Sequence, residues 1–198
     1  MRCPRARRRF FSPWPLMVLF LMVVLFPSMG RGEEEGAKPV PNRYGVALSY
    51  GNSFFPDGDI GFWMGTLLGI FDFGKIWYQS VPDGLRVKVE VSLGSTTKPD
   101  YDVMASAGVM ILYYIDALST GFMTPYIEGG LGVIYTNFQV EGQGSRINFN
   151  PRAGFGADFP LGRETLFTAL RWDHLSNAGL SSHNQSVDSV VFMVGVYF

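Results

Sequence analysis

From residue 43 onward, apolar residues alternate with small or polar ones, and this period of two is typical of β-strands. The clearest example is 85–94, where leucine and valine alternate with charged residues, serine and glycine. Seven other segments share the pattern, although glycines and aromatic residues blur it in the second. The predicted strands are 44–51, 60–79, 85–94, 101–115, 122–138, 146–159, 164–176 and 187–198.

The segments between these strands differ in length at the two ends of the predicted sheet. Tight turns are expected after the second, fourth and sixth strands, at 81–84, 116–121 and 160–163, whereas longer polar segments follow the odd-numbered strands. An even number of antiparallel strands with this alternation is typical of outer-membrane barrels. The chain also ends with Phe198 on an apolar strand face, which resembles the assembly signal of bacterial outer-membrane proteins. We therefore expect an all-β, eight-stranded antiparallel transmembrane β-barrel over residues 43–198.

The strand faces opposite the apolar rows carry charged residues of both signs. An eight-stranded barrel is only wide enough for side chains to fill it, so these residues are expected to pair in a polar interior rather than to line a pore. A soluble barrel of the lipocalin type would reverse the two faces, and it stays open as an alternative. The expected interior residues are Arg86, Lys88, Glu90, Asp102, Glu128, Arg152, Asp158, Arg171 and Asp173.

The start of the chain has the composition of a signal peptide. Arginines precede the apolar run 16–26, which is too short for a membrane-spanning helix, and small residues lie near Gly30. We expect residues 1–30 to be cleaved and residues 31–42 to form a flexible lead-in. The rest would carry 11 basic and 17 acidic residues, a net charge of −6 that argues against nucleic-acid binding. Cys3, the only cysteine, would leave with the signal, so neither a disulfide nor a cysteine metal site is expected.

Three polar residues near the C-terminus share the outward parity of the apolar residues around them. His174 and Ser176 continue the row that contains Leu170, and Asp188 begins the row that ends at Phe198. Ionisable groups facing lipid are costly and usually functional. A hydroxyl, an imidazole and a carboxylate form the set that serine hydrolases use, so His174 is the candidate base, Ser176 the nucleophile and Asp188 the orienting acid.

A hairpin symmetric about Ser182 would place Ser176 directly opposite Asp188, with His174 diagonal to the carboxylate and within side-chain reach. Attack on an ester would create an oxyanion that needs hydrogen-bond donors. The candidate donors are the side-chain amide of Asn177 and the backbone N–H groups of Ala178 and Gly179.

The segment His174-Leu-Ser-Asn-Ala-Gly-Leu180, with an acid twelve residues after the serine, resembles the PagL-type lipid A 3-O-deacylase family. The segments 125–132 and 147–149 add to a resemblance that covers essentially the whole barrel. It implies an outer-membrane serine esterase that removes the 3-O-linked acyl chain of lipid A without a metal or cofactor. The substrate would be lipopolysaccharide in the outer leaflet, among outer-membrane lipids. The resemblance assigns His174 as base, Ser176 as nucleophile, Asn177 as an oxyanion donor and Asp188 as the acid.

Asp188 departs from this pattern, because a glutamate occupies the acid position in a member of the family. The loss of a methylene shortens the reach toward His174. Two other functions stay open: a non-catalytic barrel with a structural or adhesive role, and an esterase acting on phospholipid. A homodimer also stays open.

Tryptophans and the remaining polar residues near the motif have simpler predicted roles. Trp63, Trp77 and Trp172 are expected in the interfacial aromatic belt, with Trp172 alternatively lining an acyl-chain groove. His183 is expected to be exposed in the last loop. Asp173 is expected to point inward toward an arginine.

Overall fold

The computed structural model describes residues 42–56, 58–77 and 81–198. The predicted signal peptide, the lead-in up to residue 41 and Cys3 lie outside the described residues. Eight strands form a closed antiparallel barrel in which each pairs with its sequence neighbours and the last pairs with the first, so the predicted fold is confirmed. The strands are β1 (Arg43–Phe55), β2 (Gly61–Asp72), β3 (Leu85–Thr96), β4 (Val103–Tyr114), β5 (Thr124–Thr136), β6 (Ile147–Leu161), β7 (Glu164–Leu175) and β8 (Val187–Tyr197).

The second strand is shorter than the alternation predicts. β2 ends at Asp72, and the short helix α1 (Phe73–Trp77) follows at once. The Asp72 Oδ1 atom accepts the backbone N–H of Gly74 at 2.9 Å, a local turn that diverts the chain from the sheet. The expected strand up to residue 79 is therefore wrong. A turn does lie at 81–84, where the Leu85 N–H donates to the Pro82 carbonyl at 2.9 Å, but it ends a longer connection that starts at Phe73. In the described part of the chain, no helix is long and apolar enough to cross a membrane.

The expected contrast between short turns and long loops is also wrong as a general pattern. Among the connections between the described strands, only β6–β7 is a two-residue turn, and its Gly162 has a φ of +64°, which glycine adopts at little cost. We call the end of the barrel that carries the β7–β8 connection the loop end. The connections at the loop end are 56–60, 97–102, 137–146 and 176–186, and those at the other end are 73–84, 115–123 and 162–163.

A network of buried ion pairs occupies the middle of the barrel, as predicted. The Glu90 carboxylate contacts Lys88 at 3.3 Å, Arg152 at 3.2 Å and Arg171 at 2.6 Å. Glu128 binds Arg171 at 2.5 Å and also Lys88. Charges buried this deeply are tolerated only when they are paired, so each of these side chains depends on its partners.

Two hydrophobic clusters lie on either side of this network inside the barrel, which the sequence analysis did not anticipate. One cluster packs at the loop end and the other at the opposite end. The loop-end cluster contains Ile60, Phe62, Met64, Met104, Ile134, Leu175, Val187 and Val191. The other contains Leu68, Ile70, Leu112, Tyr126, Phe167, Ala169, Met193 and Tyr197.

Two of the predicted interior acids, Asp173 and Asp102, lie in different surroundings. Asp173 points inward and lies 3.4 Å from the Arg152 Nε atom, as predicted. Asp102 does not lie inside, because β4 begins one residue later. Its carboxylate instead accepts a hydrogen bond from the Asn137 side-chain amide at 2.9 Å, in the neighbouring loop. The predicted interior position of Asp102 is therefore wrong.

The outer surface of the barrel is apolar. On β3, Val91 and Leu93 are 57% and 65% exposed, while the residues between and beside them point inward. This arrangement is the reverse of a lipocalin-type barrel, so that alternative is excluded. Trp63 and Trp172 both lie on the outer surface, and the side chain of Trp77 lies outside the described part of the chain. Their place in an aromatic belt stays a prediction.

Candidate active site

Strands β7 and β8 bring the candidate histidine and acid together at the loop end. His174 is paired directly with Asp188 in the ladder, and both side chains point outward. The symmetric hairpin expected from the sequence, with Ser176 opposite Asp188, is therefore wrong. The observed register is centred on Ser181 rather than Ser182, and Ser176 lies just beyond the last β7–β8 pair, Leu175 with Val187.

Ser176 is held by β6 rather than by β8. Its backbone carbonyl accepts the Phe149 N–H at 2.8 Å, and its own N–H donates to the Phe149 carbonyl at 3.1 Å. This doubly bonded pair continues the β6–β7 register beyond the last regular pair, Arg152 with Asp173. The backbone under the candidate nucleophile is thus fixed on its β6 side.

The three side chains form one hydrogen-bonded line. The Ser176 Oγ atom lies 3.1 Å from His174 Nε2, and His174 Nδ1 lies 2.8 Å from Asp188 Oδ1. The His174 and Asp188 side chains are 20% and 17% exposed, which leaves them accessible but largely screened from solvent. When Nδ1 carries the proton for Asp188, Nε2 is free to accept the serine proton. The arrangement can therefore activate a hydroxyl for attack on an ester.

Trp172 joins this line as a fourth member that sequence reasoning had not placed there. Its indole Nε1 donates to the same Asp188 Oδ1 atom at 3.1 Å. The indole also packs on the His174 ring, with 5.6 Å between centroids and an interplanar angle of 36°. Its spacing of two residues before His174 on the same strand face was the available signal.

A proline next to the site has no N–H to donate, so the His174 carbonyl opposite it accepts a hydrogen bond from a side chain inside the barrel. In the register set by Phe149 and Ser176, Pro151 lies opposite His174, but proline has no N–H to donate. The buried Asn150 supplies the donor instead, because its Nδ2 lies 3.2 Å from the His174 carbonyl oxygen. Asn150 Oδ1 in turn accepts from Arg152 Nε at 2.6 Å. The histidine backbone is therefore connected to the buried ion-pair network.

Two of the three expected oxyanion donors already donate hydrogen bonds to other groups. The Asn177 Nδ2 atom donates to the His183 carbonyl at 2.7 Å and to the Gln143 carbonyl at 3.0 Å. Its Oδ1 accepts the Gly179 N–H at 2.9 Å. Asn177 is 2% exposed, so its amide braces the loop rather than facing the serine.

Ala178 and Asn184 complete the local structure of this loop. Ala178 has a φ of 54°, a left-handed conformation that is strained for a residue other than glycine, and it is exposed. Asn184 Oδ1 accepts the backbone N–H of Asn177 at 2.8 Å, a contact that sequence reasoning missed. His183 is exposed, as predicted. Among residues 42–56, 58–77 and 81–198, no group of three or more His, Cys, Asp or Glu side chains could hold a metal ion.

Comparison with known proteins agrees with this architecture. The sequence model of the family described as lipid A 3-O-deacylase (PagL) matches residues 60–197, which include β2 through β8. A search of curated proteins finds no match.

Two solved structures illustrate the similarity of the fold. The crystal structure of the outer membrane enzyme PagL is 23% identical, with a TM-score of 0.55, over 76% of this chain and 97% of that one. Neisserial surface protein A is 14% identical, with a TM-score of 0.60, over 79% of this chain and 95% of that one. At these identities the likeness concerns the fold alone. Since the family match spans well over half of its length, this chain belongs to the lipid A 3-O-deacylase (PagL) family and is a β-barrel of the bacterial outer membrane.

Proposed function

We propose that the protein is a serine esterase that hydrolyses the 3-O-linked acyl chain of lipid A. The observation that carries this proposal is the hydrogen-bonded line of Ser176, His174 and Asp188 on the outward-facing surface of the barrel. A structural barrel has no need for three aligned polar side chains among apolar neighbours, where such groups are costly. Family membership supplies the substrate class.

The position of the site suits a substrate that stays in the membrane. Both ends of the described barrel, near Arg43 and Tyr197, lie at the end opposite the loop end. If these ends face the periplasm, as in barrels with an even number of strands, the loop end faces outside. The three side chains then lie at the level of the outer leaflet, where lipopolysaccharide presents its ester-linked acyl chains. The lipid can reach the serine by lateral diffusion.

The first half of the reaction follows from the observed hydrogen bonds. The Ser176 Oγ atom attacks the carbonyl carbon of the 3-O-acyl ester while its proton passes to His174 Nε2. Asp188 accepts a hydrogen bond from His174 Nδ1–H and stabilises the imidazolium. The bond between the acyl carbon and the sugar oxygen then breaks, and His174 returns the proton to the leaving hydroxyl. The acyl chain remains as an ester of Ser176.

In the second half, His174 takes a proton from a water molecule, whose oxygen attacks the acyl carbon of the acyl-serine. The bond between the acyl carbon and Ser176 Oγ then breaks, His174 returns the proton to Oγ, and the fatty acid is released. Each tetrahedral intermediate carries an oxyanion that needs donors. The Ala178 N–H is the member of the expected set that no hydrogen bond in the described residues occupies. Asn177 contributes by holding the loop that presents this N–H, and it becomes a direct donor only if it leaves the loop carbonyls.

Mass spectrometry of lipid A from cells that produce the protein tests this proposal. The wild-type chain should remove one 3-O-linked acyl group, while Ser176→Ala and His174→Asn should abolish the loss. Ser182→Ala, an exposed serine in the same loop, is the matched control and should keep full activity. Heat-modified electrophoretic mobility shows that each variant is folded.

Two results would overturn the proposal. An unchanged lipid A profile beside properly inserted wild-type protein would favour a non-catalytic barrel. Fatty acid released from phospholipid, with lipid A intact, would reassign the site to a phospholipid esterase.

A further inference from the structure

The Asp188 carboxylate receives two hydrogen bonds on one oxygen atom. His174 Nδ1 and Trp172 Nε1 both contact Oδ1, at 2.8 Å and 3.1 Å. Trp172 is paired with Val190 in the β7–β8 ladder, so it reaches Asp188 diagonally from the same face of the barrel. Its indole N–H points along the surface toward the loop end, and not away from the barrel.

This contact has a plain physical reason at a lipid-facing position. An indole N–H that faces hydrocarbon has few acceptors, and leaving it unpaired is costly. A carboxylate in the same surroundings gains more from each hydrogen bond than it would in water. Both groups are therefore stabilised by meeting each other, and the carboxylate is held in one orientation.

The neighbours of Trp172 leave room for the indole to take this position. On β6 it is paired with Ala153, whose small side chain does not obstruct the ring. The indole also packs on the His174 ring, with 5.6 Å between ring centroids. The tryptophan thus contacts both the acid and the base, but it does not lie between the base and Ser176.

We propose that Trp172 is a positioning residue for the acid of the site: its indole N–H fixes the Asp188 carboxylate so that one oxygen faces His174 Nδ1. This inference rests on the proposed serine esterase function. Asp188 lies directly opposite His174, and the hydrogen bond from the Trp172 indole orients its carboxylate. Trp172 therefore acts on the reaction through Asp188.

Trp172→Phe tests this inference, because phenylalanine keeps an aromatic ring but has no N–H. With purified protein and lipid A in mixed micelles, kcat should fall about 10- to 100-fold while KM stays unchanged. Trp63→Phe is the matched control, since Trp63 is a similarly exposed outward tryptophan on β2 and should leave kcat unchanged. A rise in KM with unchanged kcat would mean that Trp172 lines an acyl-chain groove, and would overturn the inference.

A double-mutant cycle gives a readout that a purely structural role would not produce. In an Asp188→Ala background, Trp172→Phe should cause no further loss of kcat, because the group through which it acts is already missing. Two losses that multiply independently would overturn the inference.

The same assays separate failure of this inference from failure of the proposed function. If Ser176→Ala keeps wild-type activity, the serine mechanism itself fails. If Ser176→Ala is inactive but Trp172→Phe matches wild type, only the positioning role fails.

Discussion

His174 and Asp188 lie directly opposite each other in the β7–β8 ladder, and their side chains meet at 2.8 Å. Directly opposed residues have Cβ atoms about 4.5–5.5 Å apart, whereas diagonal neighbours are about 7–8 Å apart. A short aspartate can therefore reach the imidazole from its observed position. The loss of one methylene relative to glutamate does not separate the carboxylate from the imidazole of His174 in this chain.

Removing the charge of Asp188 should be far more harmful than lengthening its side chain. Asp188→Asn should lower kcat about 10³- to 10⁴-fold, because an amide can hold His174 in the wrong tautomer. Asp188→Glu keeps the charge and should retain more activity than Asp188→Asn. Steady-state release of fatty acid from lipid A measures both, and equal losses in the two variants would argue against an acid role for this residue.

Asn150 donates the hydrogen bond to the His174 carbonyl that Pro151 cannot donate. A second substitution, at Pro151, can therefore restore what an Asn150 variant loses. Asn150→Ala leaves the His174 carbonyl without its buried donor, so it should lower the free energy of unfolding by about 1–3 kcal/mol and reduce kcat. Adding Pro151→Ala restores a backbone N–H opposite His174 and should recover part of both losses. Urea unfolding in lipid vesicles and the deacylation assay provide the two measurements.

Asn148→Ala is the matched control for this rescue. Asn148 is also buried, but its Nδ2 donates to the Ser145 carbonyl and not to His174. Pro151→Ala should not recover its loss of stability. If the proline substitution rescues both asparagine variants equally, the specific link to His174 is refuted.

Asn177 should affect the reaction through the order of the last loop. Asn177→Ala removes two donations to loop carbonyls and one acceptor for Gly179, so protease added to intact cells should cleave 176–186 faster. Activity should fall in parallel. A fall in kcat of about 10²- to 10³-fold without faster cleavage would instead identify the amide as a direct oxyanion donor.

The buried ion-pair network should be sensitive to loss of a single member. Lys88 is fully buried between Glu90 and Glu128, so Lys88→Met should lower the free energy of unfolding by about 3–5 kcal/mol. Lys98→Met makes the same change at an exposed loop position and should have an effect within about 0.5 kcal/mol. Urea unfolding followed by tryptophan fluorescence compares the two, and similar midpoints would contradict the expected dependence on pairing.

Much of the barrel could be predicted from the sequence because its signals are local. A period of two sets which side chains share a face, and this alone identified the outward position of His174, Ser176 and Asp188. The inward position of Arg171 and Asp173 follows from the same alternation. These predictions need no knowledge of how one strand is aligned with the next.

The remaining features depend on contacts between distant segments. The observed register centres the β7–β8 hairpin on Ser181 and places Ser176 beyond its last pair, where it pairs with Phe149 on β6. A hairpin centred on Ser182 does not anticipate this. The brace on Asn177 comes from Gln143, in a different loop. The early end of β2 did have a local signal, the Asp72 side chain, but the aromatic residues after it imitate a continuing strand.

The pairing of Ser176 with β6, while Asp188 lies on β8, makes the site dependent on the assembly of the last three strands. Ser176 follows β7 in the chain and is paired with β6, whereas His174 on β7 is paired with Asp188 on β8, so the hydrogen-bonded line of the three side chains needs neighbours on both edges of β7. In a chain whose β7–β8 hairpin has not yet paired with β6, the backbone of Ser176 is not held in place by Phe149. The site therefore forms only as β6, β7 and β8 assemble side by side, and a chain in which either edge of β7 is still unpaired lacks the arrangement that the proposed reaction needs.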